Sequence, residues 1–545
     1  MTPRGRSRSI GRRWFGLFAA LLAAGTTTTT AAVSFPAVRG RGGAVASSDL
    51  AATETGLAIL RHGGNAVDAA VATALALAVV FPEAGNLGGG GFAVVRSGDT
   101  VATLDFRETA PLGARREMYL DARGRSIPDA SLIGPLASGV PGTPAGLFEL
   151  HRRFGRLPWT QVVAPAVRLA AEGFQVSRRT HDSIRRQRAL LARFPETARV
   201  WLPGGEPPPP GSRMRLPTLG ATLRAYAEQG PPAITAGRLA QAVEQASARY
   251  GGILTAADLA AYRPLWRDPI LFEAFDWHVA AMNLPSSGGI LLGQILGLLE
   301  RLDWQDQPRF GAHRAHLLAE VWRRAYADRF LLGDPATASA HSAQLLDPRW
   351  LTTRAQEIQN DRATPSEEIS PRSIALAVES ADTTHVSVVD GDGNGVALST
   401  TLNRLFGCGL LVPEAGFLLN NEMDDFAAAP GRPNVYGLVQ GEANAVGPGK
   451  RMLSSMSPTI AWRGDDTIVL GGRGGARIPT AVAQVLLHIL VDGDPLQTAI
   501  NRPRLHHQWL PDRLVAESDA LSPETRMALE SRGHRILIED CRSKV

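Results

Sequence analysis

Asp382-Thr383-Thr384-His385-Val386-Ser387-Val388-Val389-Asp390 lies about two-thirds of the way along a chain of 545 residues. It follows a polar, poorly periodic segment from Asn360 to Ala381. Its alternation of polar and apolar residues predicts a β-strand, and a Gly-Asp-Gly-Asn turn and a second strand, Gly395 to Leu402, come next. A threonine hydroxyl is a poor nucleophile by itself. A chain cut just before Thr383 would place the new α-amine beside that hydroxyl as a general base. Such an amine has an unperturbed pKa of about 7.7–8.0, close to working pH. The plain alternative is a strand rich in Thr, Ser and Val, as β-branched residues favour.

The length exceeds a single ordinary core, so one large layered unit or two intertwined parts is expected. An apolar content of 44% suits a soluble globular protein. Cys408 and Cys541 are the only cysteines, which argues against a disulfide framework, a zinc spacing or a Cys-x-x-Cys motif. Arg4, Arg6, Arg8, Arg12 and Arg13 precede an apolar run from Trp14 to Ala24 and a Thr-rich stretch. That run is short for a bilayer span, so residues 1–32 read as an export signal, with an uncleaved signal anchor as the alternative. Arg12-Arg13-Trp14-Phe15 is similar to a twin-arginine signal, although its flanks match poorly. The expected location is periplasmic or extracellular, without a stable membrane anchor. The net charge of +5 equals the five leader arginines, so the basic pI gives no reason to expect a nucleic-acid or membrane role.

Along the chain, Ser48 to Leu60 and Asn65 to Val80 predict helices on either side of Gly63-Gly64, the second one buried. Phe92 to Arg96 and Thr100 to Asp105 predict strands. Gly146 to about Ser247 is mainly helical, with a proline-rich loop over Pro203 to Pro217. Leu292 to Leu302 and His313 to Leu332 predict further helices. From Thr383 the chain turns to strands and loops, with one clear helix at Thr480 to Val491. A helix-rich first part and a strand-rich second part predict an α+β layered fold.

Further motifs follow in order: Thr401-Leu402-Asn403, then Leu418 to Phe426 (LLNNEMDDF), Leu453 to Thr459 (LSSMSPT) and Gly471 to Arg477 (GGRGGAR). Upstream stand Gly63 to Ala70 (GGNAVDAA), Gly88 to Phe92, Leu104 to Glu108 (LDFRE) and Ser138 to Gly142. Their order and spacing resemble the γ-glutamyltransferase family from about residue 40 to about residue 540. The resemblance implies the four-layer αββα sandwich of N-terminal-nucleophile hydrolases. It also implies a precursor that cuts itself between Asp382 and Thr383 into a large subunit, 33–382, and a small one, 383–545, which stay together. Glutathione and other γ-glutamyl compounds are the implied donors, water, amino acids or dipeptides the implied acceptors, and no cofactor or metal is called for.

A γ-glutamyl donor carries a zwitterionic head, which requires a cation for its carboxylate and acceptors for its ammonium. Arg107 suits the carboxylate, because a guanidinium matches it in a bidentate fashion. An ion pair with Asp105 or Glu108 is its plain alternative. By resemblance, Ser454 and Ser455 also bind the carboxylate. Asp425, Glu422 and Asn403 match the ammonium positions, and ionised Asp and Glu only accept hydrogen bonds. Asp424 would point elsewhere if its segment is extended. Gly474 and Gly475 match the oxyanion hole, where glycine lets backbone N–H groups approach closely. Arg473 stands where many relatives have proline. Thr401 matches a threonine that steadies the nucleophile, and Tyr436, in a lid-like segment from Pro430 to Lys450, matches an aromatic that closes the pocket over Asn403.

Gly88 to Gly91 lacks the Lys-Ser/Thr of a phosphate loop. His506-His507 has no partner spacing for a metal. His385 reads as a structural strand residue. The match fades at Cys541 to Val545, where relatives continue for about a strand pair, so slower maturation is an expectation for the chain as given. Rival readings are a cephalosporin (glutaryl) acylase on the same scaffold, which needs no ammonium site, and a relative that never cuts itself.

Overall fold

The computed structural model describes residues 35–369, 383–430, 440–539 and 544–545. The leader, Asp382, Tyr436 and Cys541 therefore lie outside the described residues.

The first sheet is built from β1 (Gly43–Ala46), β2 (Gly90–Ser97), β3 (Thr100–Phe106), β4 (Leu265–Arg267), β7 (Thr383–Asp390) and β8 (Gly395–Thr401). Its spatial order is β1-β7-β8-β2-β3-β4, antiparallel at every pairing. The second sheet has β5 (Ile270–Ala274), β6 (Trp277–Ala281), β9 (Thr459–Arg463) and β10 (Asp466–Leu470) in the order β10-β9-β6-β5.

Alternation along the strands separates two cores. Ala93, Val95, Leu104, Phe106, Val386, Val388, Val396 and Leu398 face α1 (Leu50–Arg61), α2 (Ala66–Val80) and α3 (Thr143–Phe154). Phe92, Val94 and Ala397 join the other core, which contains the second sheet and the helices behind it. Those helices are α4 (Gly288–Arg301), α5 (Ala312–Asp328) and α6 (Ile478–Leu490). The result is helix, sheet, sheet, helix: the expected four-layer αββα sandwich. Helix α2 is buried all round, as a sequence apolar at every position but Asp68 and Thr73 requires. Its start is fixed by Asn65, whose side chain accepts from the N–H groups of Val67 and Asp68 at 3.0 Å, while Asp68 accepts from the Asn65 N–H.

The first part is helix-rich, as expected, but it supplies more strands than its sequence signals. Strands β4, β5 and β6 come from the first part and complete both sheets. The β5–β6 hairpin was hidden because Phe275 and Asp276 fill its two-residue turn at φ 49° and 63°, where Asn-Gly is the usual signal.

His385 sits between the sheets, with Nδ1 at 2.8 Å from Ser399 Oγ and Nε2 at 3.1 Å from Ser387 Oγ. Burial lowers its pKa to about 3. The unfolded chain therefore binds the extra proton first as pH falls from about 6.5, and the stability that neutral His385 contributes is lost toward pH 3. Each tenfold in proton affinity is worth about 1.4 kcal/mol. A His385→Gln variant should show a shallower loss of melting temperature between pH 6 and 4 than the parent. Parallel curves would remove His385 from the acid response.

Candidate active site

Thr383 opens β7 directly opposite Thr401 on β8, and Thr401 is in turn opposite Gly90 on β2. Pleat alternation puts Thr383 on the same face as His385, toward the second sheet. The chain passes close behind Thr401: a Cβ on Gly89 would lie 2.0 Å from the Thr401 carbonyl oxygen, so only glycine fits there. Thr383 and Thr401 share the walls of a small cavity with Arg107, Arg329, Asn403, Glu422, Asp425, Ser454, Ser455, Met456, Gly475, Ala476 and Ile478. Its volume is about 20 Å³, roughly the space of one water molecule.

Arg107 follows β3 and is 1% exposed. The neighbouring Asp105 does not pair with its guanidinium. One Asp105 oxygen accepts from the Arg107 N–H at 3.0 Å and from Arg451 Nη1 at 2.7 Å, and the other accepts from Arg267 Nε at 2.8 Å. The Arg107 carbonyl is held by the Tyr262 hydroxyl at 2.8 Å. With its backbone fixed this way, Arg107 pairs with Glu422 at 2.7 Å, with Asp425, and more distantly with Glu108 at 3.6 Å. Burial alone would lower the Arg107 pKa, but the three carboxylates outweigh it and hold it above its ordinary value.

The acids respond in the opposite sense. Burial raises Glu108 to about 7 and raises Glu422 and Asp425, against the opposing pull of Arg107. Glu422 and Asp425 are presented by a short 3-10 turn, Glu422–Asp425. Asn420 anchors that turn: its Oδ1 accepts from Gly139 N at 2.9 Å and Glu422 N at 3.0 Å, while its Nδ2 donates to the Gly88 and Gly139 carbonyls. The Asp425 carbonyl accepts from Asn444 Nδ2 at 2.7 Å and Gln440 Nε2 at 3.0 Å. Thr401 hydrogen-bonds the Glu422 carboxylate and accepts from the Asn403 N–H at 2.8 Å. Asp424 turns away, its Oδ1 accepting from Ser131 Oγ at 2.6 Å.

Opposite the acids, Ser454 Oγ accepts from the Met456 N–H at 3.1 Å, and Ser455 Oγ from Arg329 Nη2 at 3.2 Å. Gly475 lines the cavity, whereas Gly474, at φ 142°, is not among its lining residues. The Tyr326 hydroxyl of α5 donates to the Ala476 carbonyl of the same loop. Arg473 exchanges backbone hydrogen bonds with Lys544 at 2.8 and 2.9 Å. A proline at that position could not donate the first of these.

The cavity thus gathers Thr383, Thr401, Arg107, Asn403, Glu422, Asp425, Ser454, Ser455 and Gly475 from six separated stretches of sequence. Sequence reasoning missed Arg329, Arg451 and Asn420. Asn420 lies inside a quoted motif and had a readable signal, whereas the other two are single arginines in helical or loop sequence. His506 bonds Thr480 at 2.8 Å and Gln508 at 2.9 Å, and His507 bonds Asp512 at 3.2 Å, so the histidine pair is divided between different partners. Among the described residues, His316, Glu320 and His534 converge as possible metal ligands. The two histidines bond each other at 2.8 Å, however, and Glu320 is held by Arg323 and Arg324.

A family profile for γ-glutamyltranspeptidase matches residues 52–544. A glutathione hydrolase proenzyme of Escherichia coli K12 is 44% identical over 93% of this chain and 88% of its own length. One from Pseudomonas aeruginosa is 42% identical over 92% of this chain and 89% of its own. Among solved structures, a cephalosporin acylase from Bacillus halodurans superposes with TM-score 0.80 at 27% identity, over 93% of this chain and 91% of that one. A γ-glutamyltranspeptidase from Helicobacter pylori gives TM-score 0.60 at 36% identity, over 62% of this chain and 97% of that one. Matched over nearly all its length by both profile and relatives, this chain belongs to the γ-glutamyltranspeptidase family.

Proposed function

We propose that the chain is a self-processing γ-glutamyltransferase and glutathione hydrolase. The observation that carries this reading is the cavity at Thr383. One strand-opening hydroxyl shares it with two guanidiniums, two serine hydroxyls and two acids, which include the groups needed to hold a zwitterionic amino-acid head. The cut before Thr383 frees an α-amine, which takes the proton as Thr383 Oγ attacks the γ-amide carbon. The oxyanion is received by backbone N–H groups at Gly474 and Gly475. The amide C–N bond breaks, the amine leaves with the proton, and a γ-glutamyl ester stays on Thr383. Water, or the amine of an amino acid or dipeptide, then attacks that ester and regenerates the hydroxyl. Arg107, Ser454 and Ser455 hold the donor's α-carboxylate, while Asp425, Glu422 and Asn403 hold its ammonium. As the donor enters, its carboxylate and ammonium replace the direct pairing of Arg107 with the two acids. Tyr436 is assigned to the lid, and residues 1–32 direct export.

The acylase neighbour makes a second reading testable. A glutaryl group has the carboxylate of a γ-glutamyl group but lacks its ammonium. Asp425→Ala should lower kcat/KM on γ-glutamyl anilides by tens- to thousands-fold, the range for unpairing a desolvated charge. It should spare glutaryl anilides. The parent protein should release cysteinylglycine from glutathione far faster than it cleaves glutaryl substrates. A parent that prefers glutaryl donors, and an Asp425→Ala variant that loses both alike, would overturn the assignment.

A further inference from the structure

Arg329 follows the end of α5, in a 3-10 turn Arg329–Leu331, and is 2% exposed. Its guanidinium makes two hydrogen bonds, Nε to Ser287 Oγ at 2.9 Å and Nη2 to Ser455 Oγ at 3.2 Å. Nη1 is buried and makes no hydrogen bond among the described residues. No carboxylate lies within ion-pair distance of it among the described residues, whereas the Arg107 beside it has three. Burial pushes the Arg329 pKa down to about 10, against the weaker pull of Tyr326 and of the Asp425 carboxylate, with Arg107 adding slightly to the fall. A buried guanidinium whose nearby carboxylate, Asp425, lies beyond ion-pair distance is an incomplete arrangement, because taking a charge out of water is costly unless a partner compensates.

The two hydroxyls it touches define what is missing. Ser287 Oγ, having accepted from Arg329, donates to the Ser454 carbonyl at 2.7 Å and so pins the serine loop. Ser455 Oγ also accepts from Arg329, which leaves its own hydrogen to be donated onward. The Met456 N–H does the same for Ser454. Two hydroxyls poised as donors beside an unpaired guanidinium nitrogen, in the wall of the Thr383 cavity, form a pocket for an anion.

We propose that Arg329 is a second arginine of the donor site, binding the α-carboxylate of the γ-glutamyl group through Nη1 and turning the Ser455 hydroxyl toward it through Nη2. This rests on the reading of the Thr383 cavity as the γ-glutamyl site. The carboxylate then bridges two cations: Arg107, released from Glu422 and Asp425 as these take up the ammonium, and Arg329, which has no direct ion pair among the described residues to give up.

The test compares three anilide donors on the cut enzyme: γ-glutamyl, glutaryl (no ammonium) and 4-aminobutyryl (no carboxylate). In the parent, kcat/KM should fall strongly when the carboxylate is removed. In Arg329→Gln that preference should shrink by roughly tens- to a thousand-fold, the scale for losing one partner of a buried charge pair. The loss should fall on γ-glutamyl and glutaryl donors and leave the 4-aminobutyryl donor nearly unchanged. A merely structural arginine would lower all three together, and that result overturns the proposal, as does an unchanged carboxylate preference. Should Arg329→Gln not mature, the same ratio is read on Arg329→Lys, which keeps a charge but loses the fork. At least a tenfold smaller preference is expected there, and an unchanged ratio, or failure of both variants to mature, counts against the assignment. A parent without any carboxylate preference would instead sink the donor-site reading itself, while a parent preference untouched in both variants sinks only Arg329.

Discussion

Thr383→Ala is expected to remain a single chain and to show no activity on any γ-glutamyl donor. The parent should appear on a denaturing gel as two fragments, the smaller being the 163-residue segment 383–545. Both effects trace to one atom. The Thr383 hydroxyl is the proposed attacking group in the cut and in the transfer, and its own amine exists only after the cut. The position opposite Thr401 in the β7–β8 ladder fixes where that hydroxyl points. Thr383→Ser keeps the hydroxyl but loses the methyl that restricts χ1, so it should cut slowly and retain partial activity. N-terminal sequencing of the small fragment decides the matter. An active preparation whose small fragment begins elsewhere would exclude Thr383 as the nucleophile.

Arg107→Gln should mature normally yet lose γ-glutamyl activity by tens- to thousands-fold in kcat/KM, from about 2–5 kcal/mol for an unpaired desolvated charge. The neighbourhood makes the loss broader than one missing contact. Without the guanidinium, Glu108, Glu422 and Asp425 would share a buried pocket without the cation that now pairs with all three. Burial already raises all three, and removing the group that opposes this raises them further. Shifted toward the protonated form, they would accept an ammonium less well. The variant should therefore lose 4-aminobutyryl as well as glutaryl donors, whereas Arg329→Gln spares the former. Near-normal kcat/KM on glutathione would show that the carboxylate clamp is wrongly assigned.

The central hairpin, the helix stop at Gly63-Gly64 and the buried α2 were legible because each has a local signal: alternation, a glycine pair, an almost unbroken apolar run. The layer order was legible only through resemblance, since no local pattern states which sheet faces which. The β5–β6 hairpin escaped because Phe275-Asp276 adopts a turn that its residue types do not advertise. Among site residues, those inside compact motifs could be named in advance. Arg329 and Arg451 could not, because an arginine's partners are fixed by tertiary approach: Ser287 and Ser455 lie 42 and 126 residues away from Arg329. Asp105 shows the same point in reverse. Sequence proximity suggested that it would neutralise Arg107, yet Arg451 and Arg267 occupy it and free the neighbouring guanidinium.

Strands β7 and β8 are inserted between β1 and β2 in the first sheet, and β9 and β10 extend β6 in the second. A cut before Thr383 thus severs the backbone without opening any boundary between compact halves. Each product would keep only part of each sheet, with bare strand edges and half a core. Unfolding of the mature protein then becomes a dissociation, and its reversal a second-order encounter between two pieces that cannot fold separately. Its transition midpoint should rise with protein concentration while the uncut chain's does not. Maturation would exchange a reversible folding equilibrium for persistence governed by the rate of falling apart.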